Sequence, residues 1–561
     1  MRSHRRRRSS IGERARAGAR ATVRALGIVT LLLSVPAWGD HPTAHAERLV
    51  EQWRIAEAVH EAAPLLQSRR DDPEVIALDA NLRFLEGDYG GAAARYQEAI
   101  DRVEGQAGRN RLLQGPSARL GISVDEWRAG RELAVATAET TRGFVEERSP
   151  GGHFVIRHAP GRDALLVPYA AEALEAAYKE IGEHDFGDAP TEPVRVEIFP
   201  EVADLAKVST LTLKEIETSG TIALCKFNRL MIVSPRALAR GYPWLDTLAH
   251  EYTHFVVSRS SYNTVPIWFH EGLAKFEERR WRVADDAGLT PTMEHLLATA
   301  LGKGRRLITF DEMYPSMAKL PSQADTALAF AEVFSVVEYL HERQGWQGVR
   351  AVVARMRDGK GDAGAVAEVL GEGFEEFVRG WKAWLKVKKL RTHPGLVPSS
   401  LKFVKARGDG AKKEDEDDSQ EITEKRAQGF ARLGGMLRKA GRLGPATVEY
   451  GKAEALVGAG HPAVANKLAR TWLELGDPDK AIAAAEPSAA LNPDLAAPVA
   501  LLGEAYLKKG NRDKAAGYFE AAIRINPFDP SPHCGLGEIW AGKGDPRATR
   551  EVAACRELSA P

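Results

Sequence analysis

The chain has 561 residues, 44% hydrophobic and 27% charged, with 77 basic residues against 77 acidic ones. That length is more than one hydrophobic core can organise, so two to four domains are expected. The charge balance excludes the basic signature of a nucleic-acid-binding chain, and none of Cys225, Cys534 and Cys555 falls in a CxxC pair that would hold a thiolate zinc site.

The first element in chain order is a targeting segment. Arg5 to Arg8 and the arginines after them precede the short apolar run Ala25 to Pro36, and Ala37-Trp38-Gly39 supplies small residues at a cleavage site. Residues 1–39 therefore read as a signal peptide, and the protein as exported, periplasmic or secreted. The run falls short of the about 20 apolar residues that span a bilayer. Left uncleaved, it would anchor the chain to a membrane. Residues 47–147 follow as a helical domain, in which Ala77 to Ile100 reads as helix, Gly-Asp turn, then an alanine-rich helix.

The pattern then changes. His153 to His158 and Val194 to Phe199 run as strands, and Thr221 to Cys225 with Arg229 to Ser234 form a hairpin around Lys226-Phe227-Asn228. Helical periodicity covers Leu165 to Gly182 and dominates from Pro243 to Lys388. A small sheet followed by helices is an α+β domain, assigned to residues 150–390. Residues 391–425, rich in Lys, Asp, Glu and Gly towards their end, bury too little apolar surface to fold alone and read as a charged flexible linker.

Residues 426–561 repeat themselves. Leu473-Glu474-Leu475-Gly476-Asp477 aligns with Leu507-Lys508-Lys509-Gly510-Asn511, Ala481 with Ala515, and Asn492-Pro493 with Asn526-Pro527. Helix, glycine turn, helix and a closing Asn-Pro resemble the tetratricopeptide repeat, with degenerate units from Pro530 and over Gly429 to Ala459. The resemblance implies an α-solenoid that binds a protein partner. Ala77 to Ile100 has the same pattern. Cys534 and Cys555 fall on neighbouring helices of this region, as a pair in an oxidising compartment or as two buried thiols.

Chemistry concentrates in His250-Glu251-Tyr252-Thr253-His254, an HExxH string inside an apolar helical pattern. Residues four apart share a helix face, so His250 and His254 can hold one metal ion. Glu251 stands about 100° around the helix, where a general base can reach an activated water. Downstream, Pro266-Ile267-Trp268-Phe269-His270-Glu271-Gly272-Leu273-Ala274 opens a second helix and offers Glu271 as the third ligand of a zinc site.

Together, HExxH and W-x-x-E-G-L-A resemble the gluzincin metallopeptidases, the peptidase MA-like group fused to tetratricopeptide repeats, over His153 to Leu385. The resemblance implies a zinc cofactor held by His250, His254 and Glu271. It also implies Glu251 as catalytic base, a peptide or protein substrate, and the Thr221 to Ser234 strands as the edge binding it by β-addition. Where the family carries an Ala-Tyr pair, this chain has Ala329-Phe330. Phe330 has no hydroxyl for the oxyanion, which leaves Tyr262, His270, Tyr339 or the metal alone. Asp246, one turn before His250, is either an orienter of that histidine or a first-turn dipole partner. Two rivals stay open: a zinc-binding repeat scaffold without activity, and a zinc amidase acting on cell-wall peptides.

Overall fold

The computed structural model describes residues 42–107, 117–283, 288–302, 306–393, 395–396, 401–404 and 418–560. The expected signal peptide lies outside them, as does most of the acidic part of the expected linker. Among them no helix is long and apolar enough to cross a membrane.

Five helices come first: α1 (Ala44–Glu51), α2 (Ile55–Ser68), α3 (Pro73–Glu86), α4 (Tyr89–Ala107) and α5 (Ser117–Thr140). The Gly-Asp turn works as its sequence suggests. Gly87 ends α3 at φ +92°, a left-handed conformation that costs glycine nothing.

A five-stranded mixed sheet follows, built from β1 (Val145–Arg148), β2 (Phe154–His158), β3 (Val194–Phe199), β4 (Ala223–Lys226) and β5 (Arg229–Val233) in the order β1-β2-β3-β5-β4. β2, β3 and β5 are parallel neighbours, and β1 and β4 close the two edges antiparallel. The sequence expectation lacked β1, because Val-Glu-Glu-Arg is exposed throughout and carries no alternation. The β4–β5 hairpin turns on Phe227 and Asn228, both at φ +57°, as a two-residue hairpin turn with two positive φ angles requires.

Helices α6 (Val167–Ala177), α7 (Val202–Val208) and α8 (Leu213–Ser219) are threaded among the strands. After the sheet come α9 (Trp244–Ser260), α10 (Ile267–Glu277), α11 (Pro291–Gly302), α12 (Phe310–Met313), α13 (Gln323–Arg357), α14 (Asp362–Leu370) and α15 (Phe374–Val387). α13 is two helices joined at Gly345, which takes φ +58°.

The C-terminal region is four antiparallel pairs: α16 (Lys425–Lys439) with α17 (Leu443–Val457), α18 (Pro462–Glu474) with α19 (Pro478–Leu491), α20 (Ala496–Lys508) with α21 (Arg512–Ile523), and α22 (Pro530–Ala541) with α23 (Arg547–Ser559). One glycine per pair, Gly441, Gly476, Gly510 and Gly544, adopts positive φ at the intra-pair turn. The next residue caps the second helix where it can: Asp477 accepts from Lys480 N and Asn511 from Lys514 N. Cys534 and Cys555 form a disulfide across the last pair, which decides between the two readings of these thiols.

The repeats are built onto the α+β region. One buried apolar cluster runs from Phe154 in the sheet to Trp540 in the last repeat. Trp244 at the start of α9 is fully buried and donates to Ile523 O at 3.1 Å. Tyr169 on α6 donates to Glu551 at 2.7 Å. The N-terminal helices are pinned through Glu197 on β3, which is fully buried and accepts from Tyr89 at 2.6 Å and Arg157 at 2.7 Å and pairs with Arg229 at 2.8 Å. Part of the expected flexible linker is also built in. Leu238 and Phe403 form a β-bridge, and Glu421 pairs with Lys402 at 2.7 Å.

Candidate metal centre

α9 is held by its own apolar face. Leu248, Ala249, Tyr252 and Val256 are at most 1% exposed, which turns the His250–His254 face towards α10. α10 starts just after Pro266, so Glu271 falls in its second turn. Gly272 lets α10 approach α13: a β-carbon there would lie 2.9 Å from Val333 O and 2.8 Å from Val337 Cγ2. The glycine of the HEGLA string is thus a packing requirement that sets the depth of Glu271.

The three residues read as ligands converge. Glu271 Oε2 lies 3.4 Å from His250 Nε2 and 3.3 Å from His254 Nε2, and the three ligand atoms all lie within 4.8 Å of one another. A tetrahedral zinc with bonds of about 2.0–2.2 Å has ligand–ligand edges of about 3.4 Å, so this donor set fits zinc in identity and spacing. Among the described residues one other acidic and histidine group is this compact, Glu180, His184 and Asp185. There Arg280 already occupies Asp185, at 2.8 and 3.2 Å.

Electrostatics favour positive charge at the centre. Burial alone would lower the pKa of His250, but Glu271 and Glu278 raise it to about 9. Burial pushes Glu271 the other way, yet His254 and His250 hold it well below the usual carboxylate range. Burial raises Glu251, opposed by the two histidines and the backbone N–H of Cys225 on β4. Glu251 is 6% exposed, and among the described residues its Oε2 has no hydrogen-bond partner.

The residue behind His250 is not the one the sequence suggested. Asp246 does not orient His250. It accepts from Trp281 Nε1 and from two nitrogens of Arg282, all at 2.9 Å, and so ties the first turn of α9 to the segment after α10. Glu278 stands behind His250 instead, with Oε2 3.5 Å from Nδ1, and Lys275 holds Glu278 at 2.6 Å. The available signal was spacing: Glu278 is two turns beyond Glu271, on the same helical face. His270 stands behind His254, Nδ1 to Nδ1 at 2.6 Å, with its Nε2 3.2 Å from Ser258 Oγ. A proton on His254 Nδ1, donated to His270, leaves the His254 Nε2 lone pair free and puts the His270 proton on Nε2. Burial lowers the His270 pKa to about 3, so it stays neutral.

Phe330 occupies the position marked for a tyrosine, its ring centroid 6.0 Å from that of His250. The two tyrosines named as substitutes lie elsewhere. Tyr262 sits under Arg54 and Arg357, and Tyr339 packs on Phe377 and Trp384. β4 forms the sheet edge along α9, and among the described residues β5 is its one strand neighbour.

These features coincide with a known domain. Residues 176–387 match the Peptidase MA superfamily. The match to the peptidase MA domain covers both α9 and α10 and begins inside α6, after β1 and β2. Residues 473–533 match the tetratricopeptide repeat family. The chain therefore combines a peptidase-like domain with protein-interaction repeats. No curated protein matches the sequence. Among solved structures, a thermophilic TPR protein of Thermus thermophilus is 26% identical over 24% of this chain and 74% of its own, with a TM-score of 0.22. MamA from Desulfovibrio magneticus is 21% identical over 24% and 75%, with a TM-score of 0.22. Yeast Tom70 is 10% identical over 92% and 85%, with a TM-score of 0.23. Likenesses this low have no bearing on function.

Proposed function

We propose that the protein is a zinc-dependent peptidase in which His250, His254 and Glu271 hold the metal and Glu251 is the general base. The supporting observation is the convergence of three ligand atoms at tetrahedral spacing beside a buried carboxylate with an unpartnered oxygen. When bound, zinc supplies a Lewis acid that polarises a carbonyl and lowers the pKa of a water to about 7.

The chain's own residues do the rest. Glu251, made more basic by burial, takes a proton from the attacking water and delivers it to the leaving nitrogen. Glu278 and His270 keep the two imidazoles oriented. The outer edge of β4 offers backbone donors and acceptors to an extended substrate. The repeats recruit the substrate or a partner close to the chemistry: Asp494, in the turn between α19 and α20, lies within electrostatic reach of Lys275 and Glu278. Export follows from the N-terminal sequence and is supported by the disulfide, a bond of oxidising compartments.

The test is direct. Purified protein holds about one zinc per chain, as a three-ligand catalytic site requires, and cleaves members of a peptide library. Glu251→Gln keeps the zinc and loses about 10²- to 10⁴-fold in kcat. Protein without stoichiometric zinc, or a fully active Glu251→Gln variant, rules the assignment out.

One observation favours the scaffold reading, a zinc-binding repeat protein without activity. Phe330 brings a bare ring to the site where a hydroxyl would serve a developing oxyanion. Full zinc occupancy with no cleavage of any library member decides for it.

A further inference from the structure

A cavity of about 170 Å³ lies between the peptidase MA domain and the last two helix pairs. That is close to the ~150 Å³ that admits a benzene ring. One wall comes from α6, the start of α9 and Trp281, and the other from α21, α22 and α23. Its apolar lining combines the rings of Tyr169, Trp281 and Trp540 with the aliphatic Leu245, Ile523 and Leu536.

Three guanidinium groups line it, and two are committed. Arg547 stacks on Trp540 at 4.0 Å and pairs with Asp545 at 2.9 Å. Arg550 stacks on Tyr169 at 4.3 Å and pairs with Glu172 at 2.5 Å and Glu551 at 2.9 Å.

Arg524 is different. Among the described residues its guanidinium makes no hydrogen bond and no ion pair. Its backbone is fixed on both sides, because Ile523 O accepts from Trp244 Nε1 at 3.1 Å and Ile525 O from Tyr242 N at 2.9 Å. Of the two acids that act on it electrostatically, Asp246 already serves Arg282 and Trp281, and Glu520, also in the lining, pairs with Arg547 at 3.4 Å. Burial and the like charge of Arg282 depress its pKa. A partly buried guanidinium with all its donors unspent carries a desolvation cost that a carboxylate, bound through two parallel N–H···O bonds, would offset.

We propose that this cavity is a binding site for a small monocarboxylate bearing an aromatic or bulky apolar group, with the carboxylate forked on Arg524 and the apolar group against Trp281 and Trp540. One unpaired cation calls for one negative charge, and the apolar lining calls for an apolar body. The site belongs to both units at once, so an occupant ties the repeats to the start of the helix that carries His250 and His254. None of this depends on the metal group.

The experiment titrates the purified full chain with 3-phenylpropionate, following tryptophan fluorescence and the thermal midpoint, with 3-phenylpropionamide as the neutral control. The acid is expected to bind saturably and raise the midpoint, and the amide to do neither. Arg524→Met is expected to abolish the response while leaving the ligand-free midpoint unchanged or higher, since it removes an unpaired charge. A purely structural arginine would lower that midpoint on removal. Arg524→Lys keeps the charge without the fork and weakens binding by at least about tenfold. A parallel titration with acetyl-Ala-Ala-Phe, free or amidated at its C-terminus, assigns the source: binding of the free peptide admits a chain terminus, and binding of the small acid alone restricts the site to free acids. An equal response to the amide, a response surviving in Arg524→Met, or no saturation below roughly 10 mM overturns the proposal.

Discussion

Glu278 and Phe330 govern the centre from positions outside the HExxH string. Glu278 is held well into its ionised range, at a pKa of about 2, because Lys275 and His250 outweigh the burial that would raise it. Its charge keeps His250 facing Glu271. Glu278→Gln should therefore lower zinc affinity about 10- to 100-fold, read by competition with a chromophoric chelator, while leaving the fold intact. A variant that binds zinc as tightly as the parent would free His250 from this support. Phe330 acts by what it lacks. Phe330→Tyr adds a hydroxyl on a ring already against His250, and should raise kcat by about tenfold or more with KM little changed, since the new bond forms to the developing oxyanion. Unchanged kcat would place the oxyanion donor elsewhere.

At the scale of elements, the decisive contact is between α10 and α13. Gly272 permits it, and through it sets how far Glu271 reaches towards α9. Gly272→Ala forces a methyl against the Val333 carbonyl, an overpacked position expected to cost about 1–3 kcal/mol in denaturant unfolding. Zinc affinity should fall with it, because Glu271 is carried outward. Equal stability and equal affinity would show that α10 adjusts freely. The strands were legible for a related reason. Val194–Phe199 is buried almost throughout, as a central parallel strand must be, and the alternation of Val194, Val196 and Ile198 with Arg195 and Glu197 reads directly from sequence. β1 was not legible, because its residues are exposed and its pairing is dictated by β2 alone.

At the scale of the whole molecule, the peptidase MA domain and the repeats share one core, with Trp244 of α9 sealed against α21. Residues 42–560 should accordingly unfold in one calorimetric transition under conditions that keep the Cys534–Cys555 disulfide. Two well-separated transitions, one for the repeats, would mean that the shared core contributes little coupling.

The motif residues were readable because helix geometry is local. Four residues of spacing place His250 and His254 on one face whatever surrounds them, and the proline before α10 sets the turn on which Glu271 falls. The repeat register was readable for the same reason, since each Gly turn answers to its own φ. What needed the tertiary structure were relations between elements: Glu278 rather than Asp246 behind His250, His270 behind His254, and the repeats closing over the start of α9. Each depends on which faces meet across tens or hundreds of residues, and a packing decision of that kind is made by the burial of the whole core, not by any local spacing.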